Sequence, residues 1–142
     1  MKNLLGLLLL MTMSFSVYGQ KAVAEYTEDS HDFGTITEGT QAKHVFTVKN
    51  TGNADLMIVN VRPSCGCTTP SWTREPIAPG KTGTITAVFN SSGRPGNFHK
   101  SITVTTNEPQ SNNTKVIFIK GTVTGKGSAK PAEETPVRVP GS

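Results

Sequence analysis

Between residues 23 and 125, short runs of Val, Ile, Thr and Phe place an apolar side chain at every second position, with turn-forming residues between the runs. A period of two puts apolar residues on one face of an extended strand. Phe46 and Val48 share a face over residues 43–50, with Thr47 and Lys49 opposite. Ile85, Ala87 and Phe89 alternate with Thr84, Thr86 and Val88, and Phe98, Ile102 and Val104 with His99, Ser101, Thr103 and Thr105. Residues 56–61 and 115–123 are more continuously apolar, as expected of strands buried on both faces or interrupted by a bulge. No segment here keeps a 3.6-residue apolar period for the length of a helix.

The turns agree with that reading. Asn50-Thr51-Gly52-Asn53, Pro79-Gly80-Lys81-Thr82-Gly83 and Ser92-Gly93-Arg94-Pro95-Gly96-Asn97 are turn chemistry, glycine supplying positive φ where other residues would strain. About seven strands in about 100 residues predict one all-β domain, an immunoglobulin-like β-sandwich. The core expected from the inward positions is Phe33, Phe46, Val48, Leu56, Ile58, Val61, Ile85, Phe89, Ile102, Val104 and Phe118.

The two ends read differently. Residues 1–19 have the form of a cleaved signal peptide: Lys2 at the start, an apolar run over residues 4–13, and small-residue cleavage chemistry before Gln20. The apolar run is shorter than the roughly 18 residues of a spanning helix. No cysteine opens the mature chain, which argues against a lipid anchor. The expected location is periplasmic or secreted, with no membrane insertion after cleavage and with disulfides able to persist. Residues 20–25 read as a lead-in, residues 20–125 as the domain. Residues 126–142, with Pro131, Pro136 and Pro140 and little bulky apolar surface, read as a disordered tail. The net charge of +4 falls to about +3 once Lys2 leaves, and the basic residues are spread without a cluster. Nucleic-acid binding wants a basic face, and none is visible.

The chemistry concentrates in Ser64-Cys65-Gly66-Cys67-Thr68, which holds both cysteines of the 142-residue chain. In a flat strand residues i and i+2 stand ~6.6 Å apart on one face, near the upper limit for a disulfide. Gly66 lets the chain bend and bring them closer. A bridge closing about three residues stabilises little, ~1.6 kcal/mol by chain entropy. Three readings stay open: a turn-locking disulfide, a redox pair or copper(I) site built from two adjacent thiolates, and unpaired structural thiols. Zinc would want four ligands, and His31, His44 and His99 make no ligand spacing with Cys65 and Cys67. No metal or other cofactor is expected, copper(I) at Cys65 and Cys67 being the alternative.

Other motifs fail on context. Ser30-His31-Asp32 has the residue types of a hydrolase triad, but contiguous residues of an extended chain alternate in direction. Asp32-Phe33-Gly34 lacks every other kinase element. Gly80-Lys81-Thr82 lacks the earlier glycine and the following helix of a phosphate loop. Trp72, the sole tryptophan, lies among Pro and polar residues just past the cysteines. It reads as a contact for a partner or as a lid packed on the end of the sandwich.

The series Asp32-Phe33-Gly34-Thr35-Ile36, Glu38-Gly39, Phe46-Thr47-Val48-Lys49-Asn50-Thr51-Gly52, Ser64-Cys65-Gly66-Cys67-Thr68, Ile77-Ala78-Pro79-Gly80 and Gly121-Thr122-Val123 resembles a bacterial secreted family known as domain of unknown function 1573. More distantly the domain is similar to the sandwich modules of pilus chaperones and of ciliary proteins. The resemblance implies an immunoglobulin-like fold and an envelope location, and no substrate, reaction or partner. The function expected is a non-catalytic binding or structural module of the bacterial cell envelope, acting on an envelope protein or ligand. The alternative is a small copper(I)-binding or thiol-redox protein acting through Cys65 and Cys67.

Overall fold

The computed structural model describes residues 19–125. The signal peptide expected over residues 1–19, apart from Gly19, and the tail expected over residues 126–142 lie outside the described residues. The described chain is all-β, an immunoglobulin-like sandwich of two four-stranded sheets. Its strands are β1 (Ala24–Tyr26), β2 (Ser30–Thr37), β3 (Gln41–Asn50), β4 (Ile58–Pro63), β5 (Thr68–Trp72), β6 (Thr82–Asn90), β7 (Gly96–Thr106) and β8 (Thr114–Thr124). One sheet runs in the order β1-β3-β6-β5, the other β2-β8-β7-β4. All neighbours are antiparallel except β2 and β8, which pair in parallel. That exception joins strands from opposite ends of the domain.

The alternating positions meet between the sheets. Phe46 and Val48 of β3 and Ile85, Ala87 and Phe89 of β6 face Val61, Ile102, Val104, Ile117 and Ile119 of the other sheet, all buried. Phe89 stacks on Phe98 across the gap, ring centres 4.0 Å apart. Each large apolar side chain so buried contributes about 1.5–3 kcal/mol.

Four expectations need correction. The lead-in contains a strand: β1 pairs with the end of β3, which brings the expected count of about seven strands to eight. Residues 56–61 and 115–123 are buried on one face only, with Met57, Val59 and Val116 exposed. In the first of these runs the apolar excess marks a bulge, a register shift between Ile58 and Asn60 against β7. Phe118 is not a core residue. Ile117 and Ile119 take the inward face of β8, so strict alternation sends Phe118 outward, where it stacks on His99 at 5.1 Å. Phe33 is only partly buried, packed against the rim of the core.

Two glycines fix the frame, one inside β2 and one beneath the lead-in. Gly34 has a φ of 65° inside the register shift of β2 against β8, and its N–H donates to Asp32 Oδ1 at 2.8 Å. Gly52 is needed for a different reason from the positive φ expected of it. A Cβ there would collide with the carbonyl oxygen of Lys21, because the lead-in crosses directly over the turn.

Candidate functional site

The Cys-Gly-Cys segment is one of the corners at which the chain changes sheets. β4 belongs to one sheet and β5 to the other, so residues 64–67 must turn the backbone across the end of the sandwich. Ser64 N–H donates to Ser101 O at 2.9 Å in one sheet, and Asn90 N–H to Cys67 O at 2.8 Å in the other. Ser101 N–H also reaches Ser64 Oγ at 3.2 Å. Cys65 and Cys67 are joined as a disulfide with their Cα atoms 5.3 Å apart, well inside the ~6.6 Å of a flat strand. The bend at Gly66 supplies the difference.

The two sulfurs have different surroundings. Cys67 is 3% exposed and belongs to the core, whereas Cys65 is half-buried and Gly66 is open to solvent. A thiolate approaching from water meets Cys65 first. While bonded to each other the sulfurs carry no thiolate charge, so copper(I) could bind only after reduction.

Trp72 sits at the end of β5, across the open side between the two sheets. Its indole Nε1–H donates to Ile58 O of β4 at 3.2 Å, and the Arg74 guanidinium lies 3.7 Å over the ring. The ring is partly buried against the core. One end of the residue is therefore satisfied and one face covered, the geometry of a lid over the β4–β5 opening. Met57 and Val59, 41% and 58% exposed, flank buried Ile58 on that same side.

A second constellation escaped the sequence reading. His31 on β2 and His44 on β3 belong to different sheets, yet their rings stack at 3.5 Å with planes 6° apart. Glu28, in the connection between β1 and β2, takes a hydrogen bond with His44 Nε2 through Oε1. Phe33 stands edge-on to His31 and Phe46 edge-on to His44, each at 4.7 Å. Burial, and then the neighbouring His44, hold His31 below the usual imidazole range against the opposing pull of Glu28 and Asp32. No motif joins these residues along the chain. His31 and His44 meet because β2 lies against β3 at the side of the sandwich, a fact of tertiary packing. His99 lies elsewhere, on β7 against Phe118.

The family model described as "Protein of unknown function (DUF1573)" matches residues 24–123. No curated protein matches the chain in sequence. The chain is similar to a crystal structure of a protein of unknown function from Porphyromonas gingivalis W83, with a TM-score of 0.63 and 19% identity over 77% of this chain. It spans only 51% of that structure's length. A PapD-like domain of human CEP192 matches with a TM-score of 0.57 and 14% identity, covering 74% of this chain and 87% of that one. The Vibrio cholerae secreted serine protease VesC matches at 0.53 and 14%, covering 70% of this chain and 23% of the protease. At these identities the likeness is one of fold.

Proposed function

The chain belongs to the DUF1573 family, proteins of unknown function, and from that premise we propose that it is an exported, non-catalytic binding module of the bacterial cell envelope. The observation that carries this reading is the β4–β5 side of the sandwich. Val59 on the sheet-edge strand β4 and Met57 just before it stand exposed on either side of Ile58, whose carbonyl accepts the Trp72 indole hydrogen bond under Arg74. Exposed apolar side chains grouped with Trp and Arg are the usual composition of a protein-binding face. The covalently joined Cys65 and Cys67 support an oxidising compartment, since such bonds are rare in reducing ones. The partner expected is an envelope protein that covers this edge.

Two measurements test the proposal. The exported protein should have the intact mass of a chain starting at Gln20; a retained Met1 would overturn export. Affinity capture from native envelope should recover a partner with the natural chain and lose it with Met57→Asp/Val59→Asp. Recovery of the same proteins by both would remove this face from the function.

A second reading, thiol–disulfide exchange, is favoured by one feature, the half-buried Cys65 beside solvent-open Gly66. Thiol titration across a series of redox buffers separates the two. A pair that stays oxidised through the series supports the binding module, and one that opens and recloses within it supports exchange.

A further inference from the structure

We propose that Glu28, His31 and His44 form a binding site for a divalent transition metal ion of the zinc class, and that the ion clips the edge of one sheet to the other. Each residue offers one donor atom, and the three donor atoms all lie within 4.8 Å of one another. Two imidazole nitrogens and a carboxylate are the donor set that suits zinc, nickel or copper(II), and not a soft monovalent ion. Three protein donors leave one tetrahedral position for water or for a group brought by a partner.

The frame around the donors is already built. His31 is fixed in the β2–β8 ladder opposite Ile119, and His44 in the β3–β6 ladder opposite Ala87. Phe33 and Phe46 confine the two rings from the sides, and Glu28 already engages His44. As they stand the rings are parallel, so binding turns one of them out of the stack until both lone pairs converge on the ion. His31, on a sheet-edge strand and half-buried, is the ring placed to turn. β2 and β3 belong to different sheets, so their backbones share no ladder, and the ion would add a cross-sheet link to the side-chain packing and the short connecting turn that now join them. An exposed carboxylate beside a histidine is common. Two stacked imidazoles from separate sheets with a carboxylate on one of them is a more specific arrangement.

The site stands apart from the Cys65–Cys67 corner, and the test keeps them apart. Zinc chloride is titrated calorimetrically into the disulfide-intact full chain and into Glu28→Gln, His31→Asn, His44→Asn and Cys65→Ser/Cys67→Ala. The expected result is one zinc per chain, retained in the double cysteine variant. Glu28→Gln and both histidine variants should weaken binding by more than the roughly 10- to 100-fold that loss of an outer-shell partner costs. Melting temperature should rise with zinc in the natural chain and stay unchanged in His31→Asn. Should His44→Asn fail to fold, His31→Asn and Glu28→Gln still decide, because both residues lie at the surface side of the cluster. Cobalt(II) provides a second readout: histidine NMR signals of His31 and His44 should shift while His99 stays in place. Absence of saturable binding, binding unchanged in His31→Asn and Glu28→Gln, or a cobalt effect centred on His99 would each overturn the site.

Discussion

Asn50 is fully buried, and every polar atom of its side chain is used on backbone. Nδ2 donates to Ala54 O at 2.7 Å and Ile77 O at 2.8 Å, while Oδ1 accepts from Gly52 N–H at 2.9 Å and Val23 N–H at 3.5 Å. One residue thus ties the end of β3 to the lead-in and to the segment before β6. Asn50→Ala strands those backbone groups, and a loss of about 3 kcal/mol is expected from urea midpoints, several times a surface substitution. Tyr26 is the opposite case. Its hydroxyl is buried with no hydrogen-bond partner among the described residues. Burial first, then the Glu108 and Asp29 carboxylates, push its pKa above the ordinary 10. Above pH 10 the unfolded chain releases this proton and the folded chain keeps it. This group therefore leaves stability unchanged with pH below 10 and makes it fall as pH rises past 10. Tyr26→Phe should flatten that alkaline slope and be neutral or up to about 1 kcal/mol stabilising at neutral pH. Tyr18 is the only other tyrosine, so in a chain starting at Gln20 ultraviolet titration reads Tyr26 alone. An ordinary midpoint near 10 would show the hydroxyl to be solvated. At this scale the sequence says that Asn50 sits in turn chemistry, and only packing reveals that the same side chain is sealed.

At the scale of elements, two irregular pieces bear on the sequence most directly, the β2 bulge and the Cys65–Cys67 corner. Gly34 holds a left-handed φ of 65° within the β2 bulge, and an added Cβ would meet no neighbouring atom. Gly34→Ala should therefore cost only the conformational term, about 1–2 kcal/mol, read as a shift in denaturant midpoint without a change in slope. The corner at Cys65 and Cys67 closes too short a loop to restrain the unfolded chain strongly. Cys65→Ser/Cys67→Ala, which avoids placing a hydroxyl at the buried Cys67 position, should cost about 1–2 kcal/mol. Failure to fold would mean that the bond, more than the flanking hydrogen bonds, makes the sheet change. The bend at Gly66 was readable from residue types. That it carries the chain from one sheet to the other was not, because spacing describes a loop and is silent about what flanks it.

For the whole molecule, the decisive contact is the parallel pairing of β2 with β8, strands from opposite ends of the domain. Ile36 pairs with Val123 and Glu38 N–H donates to Thr124 O at 2.8 Å, so the last residues of β8 hold β2 as the edge of the second sheet. Removing residues 126–142 should leave the melting temperature nearly unchanged, since β8 ends at Thr124. Removing residues 121–142 deletes buried Val123 and that edge pairing, and should cost about 3 kcal/mol or more. A large loss on the shorter truncation would show that the tail packs on the domain. The period-two pattern, with turn residues between the runs, was enough to determine an all-β sandwich and most of its core, because alternation is a local property that a single strand expresses by itself. It misplaced Phe118, since neighbouring Ile117 and Ile119 compete for the same face and only the opposing sheet decides which register wins. It passed over β1, whose three residues are too few to show a period. It could not bring Glu28, His31 and His44 together, because they meet across a gap between sheets whose strand order no local pattern encodes. Residue types and their spacing determined what each strand is; the pairing of distant strands, a matter of tertiary packing, decided which side chains share a site.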